Sequence, residues 1–599
     1  MMHRGLVRPW DAGGGCLDGK YHNKAMILKI MEVIMARMTV FNGLAVLLLI
    51  GSIANAEISV TSYGAKGDGK TDDTTAFQKA LDVAAITGDV VTVPTGSFLI
   101  AGSLNIPRSV TLKGVWEAPH FPDAEKGSLI LATGNAGNPD AAPLFSLTNN
   151  SCIQGVTILY PDQDPRDVKP YPWTIRGSGT HCSVIDVTLV NPYMGIDFGT
   201  LPNEMHYVRN VYGCPLKIGV FVDKCTDIGR IENVHFNPNS YTRLNHPSVA
   251  SGEKGAALVK YMHENLIGFI FGRTDWEYVN NCFVIFPKIG FHFKDAGGGG
   301  GNVLLSQSGA DICGVATQID ALQSHAGVSF SNSQMFGRVV VGEGNNGPVR
   351  FTGCGFFGAT YENPVAEPSH LDVRGKGHVS IENCHFITID GNNKTRIDIR
   401  ASGGGLTVNN CQFVNSDRTH ILLEKGLRTG IISSNTFSGK AGIVDNSGVN
   451  VQIGLNADKP EEPDAIIVDD MSGDKAFTME GTWLQGRSST DYASSVRWAS
   501  KGSGEAKAWW KPSIPKAGVY AVYVWYGSDQ SNDHAINAPY TVGFKGGTKE
   551  FRIDLKKNTG QWTLLGEFEF AKGTKGYVMA SNDANANVVA DAVKFVPVK

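Results

Sequence analysis

The 599 residues hold 53 basic against 57 acidic side chains, a near-neutral balance that excludes the concentrated basic face of a nucleic-acid binder. Charged residues make up 18% of the chain and glycine occurs 71 times, which predicts many turns and little exposed helix. The roughly 540 residues after Ala56 are too many for one compact core, so an elongated or repetitive architecture is expected.

The first 56 residues read as an export signal with an over-long start. Arg37 gives a positive charge, Phe41 to Ile53 an apolar run, and Ala54-Asn55-Ala56 the small-x-small pattern of a cleavage site. The methionines at 31, 35 and 38 offer later starts, and mature protein is expected from Glu57. The apolar run is shorter than the about 20 residues a bilayer requires, so no membrane partner is expected. Secretion, or release to the periplasm or cell surface, follows.

Beyond Ala56, an imperfect pattern (Val/Ile/Phe)-x-Asn-(Cys/Ser)-x-Phe returns along the chain. It reads IENVHF at 231–236, VNNCFV at 279–284, FSNSQM at 330–335 and FTGCGF at 351–356. IENCHF at 381–386, VNNCQF at 408–413 and ISSNTF at 432–437 complete it. Successive units end 48, 51, 21, 30, 27 and 24 residues apart, so each long interval is expected to hide a degenerate rung. Apolar and polar residues alternate over four to six positions, which is the strand period. Asparagine at a fixed place suits a left-handed bend. The pattern predicts an all-β chain, a parallel β-helix over 57–456 whose stacked rungs share one core.

The nine cysteines after Ala56 all lie between Cys152 and Cys411 without a close CxxC pair. Cys282, Cys354, Cys384 and Cys411 occupy the repeat itself, so they read as stacked small apolar groups rather than bridges or metal ligands.

The stretch VTSYGAKGDGKTDDTTAFQKAL at 60–81 resembles the opening of the pectate-lyase-like right-handed β-helix superfamily, which includes rhamnogalacturonase-like and epimerase enzymes and phage tailspikes. Asp and Thr side chains at 71–75 are expected to cap a helix from Thr75 to about Ala85. The resemblance implies that this helix covers the open end of the solenoid. Val90 to Pro94 and Gly96 to Ile100 then resemble a first rung.

Composition shifts at the charged, proline-bearing linker 457–464. Six of the ten tryptophans fall between Trp483 and Trp562, and strand patterns at 519–525 and 564–570 predict a β-sandwich over 465–599. IIVDD at 466–470, GTW at 481–483, GQW at 560–562 and VADAV at 589–593 are similar to the golvesin or xanthan-lyase-type C-terminal domain. That resemblance implies a carbohydrate-binding-like module, with a purely structural role left open. Trp509 and Trp510 are adjacent, so on a strand at most one enters the core.

The polygalacturonase set of paired aspartates with Gly-His-Gly is absent, as are the Asp-Pro-His-Glu of alginate epimerases, GxSxG, HExxH and the Walker motif. Gly297 to Gly301 lacks the Lys-Ser/Thr of a phosphate loop and reads as a flexible connection. The densest charged and aromatic stretch runs from Tyr261 to Asp311. If Arg273, Asp275 and Glu277 alternate on a strand they share one face, giving two carboxylates for glycoside cleavage. Arg273, Asp275, Glu277 and Asp311 are therefore the candidate catalytic residues, and replacing Asp275 by Asn or Glu277 by Gln is expected to end cleavage without unfolding. Trp276, Tyr278, Lys288, Lys294, His263 and Trp173 are candidate substrate contacts. The proline-broken loop 160–173, with Asp162, Asp164 and Asp167, could hold Ca²⁺ through oxygen ligands, although no cofactor is required.

Three functions stay open: a glycoside hydrolase, favoured by the two acids; a polysaccharide lyase using Arg273, Lys288 and Lys294 against a uronate; and a non-catalytic adhesin or tailspike-like binder. A polysaccharide is the expected partner, with the chain a monomer or a homotrimer.

Overall fold

The computed structural model describes residues 57–118, 126–249, 252–358, 369–389, 396–416, 418–459, 464–486, 488, 490–492, 495–528 and 533–598. The export-signal reading of 1–56 lies outside them. No helix among the described residues is long and apolar enough to cross a membrane.

The solenoid is a right-handed parallel β-helix with three strands per turn in its regular part. One turn runs through Ile289–Phe293, Val303–Ser306 and Gly309–Asp311, which lie on what we call the first, second and third faces. The first face is a 13-stranded parallel sheet from Leu104–Ile106 to Ile443–Asp445. Neighbouring strands in the regular part are parallel, and the second face keeps strict register, as in Val303↔Val328↔Val349↔Val379; on the first face the register shifts once, between Val315 and Thr317.

The asparagine positions of the repeat form the corner between the second and third faces. Asn210, Asn233, Asn281, Asn332, Asn383 and Asn410 all have φ near +50°. Asparagine tolerates this left-handed backbone, and its amide then bonds to the equivalent residue one turn away. Asn210 donates to Asp186 (2.8 Å), Asn233 to Asn210 (2.9 Å) and Asn281 to Asn233 (3.2 Å). The next position points inward. Cys282, Ser308, Ser333, Cys354, Cys384 and Cys411 stack there, buried, and all nine described cysteines are free thiols. The phenylalanines that close the repeat stack face to face: Phe356, Phe386, Phe413 and Phe437 have ring centroids 4.5, 5.0 and 4.6 Å apart.

The two long intervals have different causes. Between 284 and 335 a degenerate turn is present, Val303–Ser306 with Gly309–Asp311. Between 236 and 284 there is none, because Ile231 pairs directly with Val279 and His235 with Phe283. The extra residues form an insertion after Phe236 that carries helices Asn239–Thr242 and Glu253–Asn265.

A second repeat escaped the sequence reading. MGIDF at 194–198, IGVFV at 218–222, IGFIF at 267–271 and IGFHF at 289–293 each open a strand of the first face. A side chain on Gly290 would collide with the Ala310 Cβ, and one on Gly219 with the Phe236 ring. Glycine is required because the chain turns this corner hard against the core.

The N-terminal helix spans Thr74–Ala84 and packs on the first turn through Phe77, Ala80 and Leu81, with Phe77 edge-on to Phe98 at 5.4 Å. Its cap differs from expectation. Asp73 holds the N-cap position without a side-chain cap bond and accepts instead from the Lys66 and Gly67 amides. Asp72 receives the Thr74 amide at 3.0 Å. At the other end, Ala457–Lys459 pairs with Thr436–Ser438, so the solenoid enters the stretch expected as linker. Residues 460–463 lie outside those described.

The C-terminal sandwich is antiparallel throughout its sheets. Gly518–Trp525 pairs with both Thr563–Phe570 and Ala592–Pro597, and Lys507–Trp510 lies between Phe477–Glu480 and Tyr577–Ser581. Trp510 is fully buried and Trp509 half-exposed, as their adjacency required.

Removing the Phe386 ring leaves the rings above and below it facing a void. Phe386→Ala is expected to cost about 3–5 kcal/mol, read as a lower denaturant midpoint at unchanged slope. A loss below about 1 kcal/mol would show that the stack is not continuous.

Candidate functional site

Side chains converge in a β-helix by stacking, one turn above another. On the third face one outward row reads Tyr212, His235, Phe283, Gly309, Gln334, Gly355 and His385. The aromatic part of this row is continuous. Tyr212 lies 6.1 Å from His235 and His235 4.9 Å from Phe283, and Trp116 extends the track at 6.0 Å from Tyr212. Gly309 interrupts it. With no side chain there, the surface drops into a groove of about 660 Å³. Its rim is made by the corner amides of Asn281, Gln307 and Asn332, and by Phe283, Phe336 and Phe357. Half-exposed aromatic rings flanked by amides suit sugar rings, which offer apolar faces and hydroxyl edges.

Asp311 is the one carboxylate lining this groove among the described residues. It ends strand Gly309–Asp311 and lies in register with Ile285. Burial raises its pKa against the opposing pull of the Ile312 amide. A carboxyl held toward its protonated form beside an aromatic shelf has the character of a proton donor.

The other expected catalytic residues do not join it. Arg273, Asp275 and Glu277 do not alternate along one strand, because the strand begins at Glu277 and Trp276 takes a left-handed backbone at φ 55°. Asp275 stays at the corner between the first and second faces. There Arg273 grips it with two bonds of 2.7 and 3.0 Å, and Gln323 adds a third at 3.1 Å. The Arg273 bonds hold its pKa below the usual value. Trp276 is 57% exposed, and Tyr278 faces outward on the second face between Arg230 and Leu304. Lys288 is exposed ahead of Ile289–Phe293, and His263 sits in the last turn of the inserted helix. Lys294 lies beside Asp320, which bonds His292 at 2.8 Å. Trp173 is no platform: it is 7% exposed and stacked on Phe221. In the 160–173 loop, Arg166 binds both carboxylate oxygens of Asp164, at 3.0 and 2.7 Å.

Glu277 is a structural residue rather than a surface acid. It is fully buried, with Oε1 2.9 Å from His206 Nε2 and Oε2 accepting the Thr274 hydroxyl at 2.9 Å. The opposite ring nitrogen of His206 faces Asn203 at 2.8 Å, and Phe198 stacks on the ring at 4.6 Å. Cys225 lies near enough to count with His206 and Glu277 as a trio of metal-ligand types. Its thiol lies on the Nδ1 side at 3.8 Å and donates to the Asp227 carbonyl. Burial is the largest single influence and opposes the charged imidazole, but the Glu277 charge and the hydrogen bonds to Cys225 and Glu277 together overcome it and raise the His206 pKa to about 10.

In the C-terminal sandwich a second aromatic group stands partly open. Tyr492, Trp525 and Trp562 meet at 5.2 to 5.7 Å, and the Lys594 ammonium sits 5.1 Å over the Trp562 ring.

Removing one partner of the buried pair leaves the other uncompensated, so Glu277→Gln is expected to cost about 3–5 kcal/mol near neutral pH. Because the folded pKa of His206 is raised, the pair's contribution is complete below about pH 6.5 and fades as pH climbs to about 10. Denaturant titrations of both proteins should show the stability gap closing across that window. A gap of constant size would rule out the charged pair.

Two family models match separate segments. Residues 57–160 match "Rhamnogalacturonase A/epimerase, pectate lyase-like", and residues 466–597 match "Golvesin C-terminal domain". Among curated proteins, a xanthan lyase from Bacillus sp. (strain GL1) is 33% identical over 146 residues, covering 23% of this chain and 15% of that protein. A preneck appendage protein of Bacillus phage PZA is 28% identical over 179 residues, 26% of this chain and 20% of that one. An exo-poly-alpha-D-galacturonosidase of Dickeya chrysanthemi is 43% identical over 76 residues, 12% of each chain. The chain thus spans a fifth or less of each of these relatives. Its N-terminal segment is similar to the pectate-lyase-like family, and its C-terminal sandwich to the Golvesin C-terminal domain.

Proposed function

We propose that this chain is an exported enzyme that binds a polysaccharide along the third-face groove and hydrolyses a glycosidic bond: Asp311 protonates the leaving oxygen as the bond to the anomeric carbon breaks, and a solvent water adds to that carbon and releases its proton to solvent. The observation that carries this reading is the placement of Asp311, a carboxyl raised by burial and set in a groove of aromatic rings and amides. Asn281, Gln307 and Asn332 would orient sugar hydroxyls, and Phe283 and Phe336 would receive ring faces. The names of the partial relatives, a xanthan lyase and a galacturonosidase among them, support a polysaccharide as substrate class.

Hydrolysis is favoured over elimination by charge. A lyase must neutralise the substrate carboxylate and draw a proton from the neighbouring carbon, which calls for cations. Lys, Arg and His are absent from the described groove lining. Arg273, Lys288 and Lys294 stand elsewhere on the solenoid. With one carboxylate in its described lining, the groove also supports a second reading, binding without cleavage.

Asp311→Asn should keep the fold and slow cleavage by about 10²–10⁴-fold, with glycan affinity retained. Wild-type cleavage should decline as pH rises through the raised Asp311 pKa. The measurement follows reducing ends and unsaturated-uronate absorbance together over a polysaccharide panel. Reducing ends alone, lost in Asp311→Asn, would support the proposal. Both signals rising would convert it to a lyase, and binding with neither signal would make the chain a non-catalytic binder.

A further inference from the structure

The rings of the third face continue on both sides of Asp311. On the turns before it, Tyr212, His235 and Phe283 stand one above another in register. Trp116 adds a ring beyond Tyr212, and its indole N–H donates to the Thr188 hydroxyl at 2.8 Å, which fixes it there. On the turns after Asp311, Phe336 and Phe357 follow with centroids 6.2 Å apart, and Ile387 continues their column. Neighbouring turns of a parallel sheet lie about 4.8 Å apart, close to the advance per ring of an extended pyranose chain.

The track changes column at Asp311. Phe283 shares the outward position of Gly309, whereas Phe336 and Phe357 sit two residues further along their strands, at the position of Asp311. A Cβ on residue 309 would lie 2.8 Å from the Gln334 carbonyl oxygen, so no ring can continue the first column there. The opening this leaves is bordered by Asp311.

The solenoid core does not require these rings. Phe356, Phe386, Phe413 and Phe437 form the buried inner stack, whereas Trp116, Tyr212, His235, Phe283, Phe336 and Phe357 are all half-exposed. A row of apolar surface left open to water marks a binding surface. Polar groups run beside it: Asn210, Asn233 and Asn281 hold the corner two residues before Tyr212, His235 and Phe283. Asn233 Nδ2 also donates to the Tyr212 hydroxyl at 3.2 Å, which orients that ring.

We propose that the rings and the groove form one track for an extended, uncharged polysaccharide that lies along the solenoid axis and is held on both sides of Asp311, so that the bond beside Asp311 is internal to the chain. This rests on the groove reading of the proposed function and adds the course of the chain, its charge and the place of the bond. Sugar faces stack on the aromatic columns, and hydroxyl edges meet the corner amides. A substrate bound by its terminus alone would need rings on one side of Asp311 only. A uronate polymer would bring a carboxylate with each ring to a described groove lining that holds Asp311 and neither Lys, Arg nor His.

The test uses the full chain carrying Asp311→Asn, so that ligands bind without being cut. It is titrated calorimetrically with β-1,4-linked gluco-, manno- and xylo-oligosaccharides from dimer to octamer, and with oligogalacturonates of the same lengths. Affinity should climb with length in a neutral series and stay weaker for the galacturonates. Adding Tyr212→Ala on one side, or Phe357→Ala on the other, should each weaken octamer binding roughly 3–10-fold, the loss of one aromatic contact. Both losses should shrink as the oligomer shortens. His235→Ala and Phe336→Ala replace them if either variant fails to fold. Affinity that does not grow with length in any neutral series, tighter binding of the galacturonates, or a loss on one side only would overturn the proposal. Cleavage is followed separately in the parent chain. Length-dependent binding with both losses but no cleavage would remove Asp311 as the acid and leave the track standing.

Discussion

The structure depends on one constraint, the in-register stacking of inward side chains from one turn onto the next. A single turn of about 24 residues cannot bury anything by itself. Phe386 is sealed only because Phe356 and Phe413 lie parallel to it at 4.5 and 5.0 Å. Stacking also disciplines the corners. A left-handed residue must recur at one place, so asparagine fills it and adds a side-chain ladder. Extra chain is tolerated only where it can leave without shifting the register. The helical insertion after Phe236 does this, and Ile231 still pairs with Val279 across it.

The same constraint explains what the sequence disclosed. The asparagine corner was legible because its residues are few in type and fixed in spacing, and the buried, unbridged cysteines followed from their place in the repeat. The turn at 303–311 was legible as a missing beat. The insertion at 237–266 was read as a second missing beat because spacing alone does not distinguish a degenerate turn from a loop. The glycine corner went unseen for a different reason. Gly219 and Gly290 look like ordinary strand glycines until the Phe236 ring and the Ala310 methyl group of a neighbouring strand are placed against them.

The candidate site was less legible because nearness along the chain is a poor guide to nearness in a solenoid. Arg273, Asp275 and Glu277 fall within five residues, but a left-handed Trp276 carries the chain around a corner between them. Glu277 then points into the core while Asp275 stays outside. Asp311, chosen for lying at the end of a charged stretch, proved to line the groove. Its neighbours come from other turns: Asn281, Gln307 and Asn332 from one corner, Phe336 and Phe357 from the row that follows the buried Met335 and Phe356. A signal for them existed. The residue on either side of the repeat's last apolar position faces outward, so aligning the units in columns would have gathered Phe283, Asp311, Phe336 and Phe357.

Two buried ionic clusters show how burial alone fails to separate structure from function. His206 and Glu277 are one cation and one anion, and Asn203 and Thr274 occupy their remaining polar atoms. The two charges balance, and each of these polar atoms has a partner within the solenoid. The sandwich cluster of Asp469, Asp470, Asp491 and Asp591 is unbalanced by contrast, with four carboxyls against Arg497 and three carboxylate oxygens unpartnered in the interior. Desolvation makes such an imbalance costly in the ionised state, and it raises the pKa of all four carboxyls. The discriminating property is therefore the unmet valence of the buried atoms, which the solenoid pair lacks and the sandwich cluster retains.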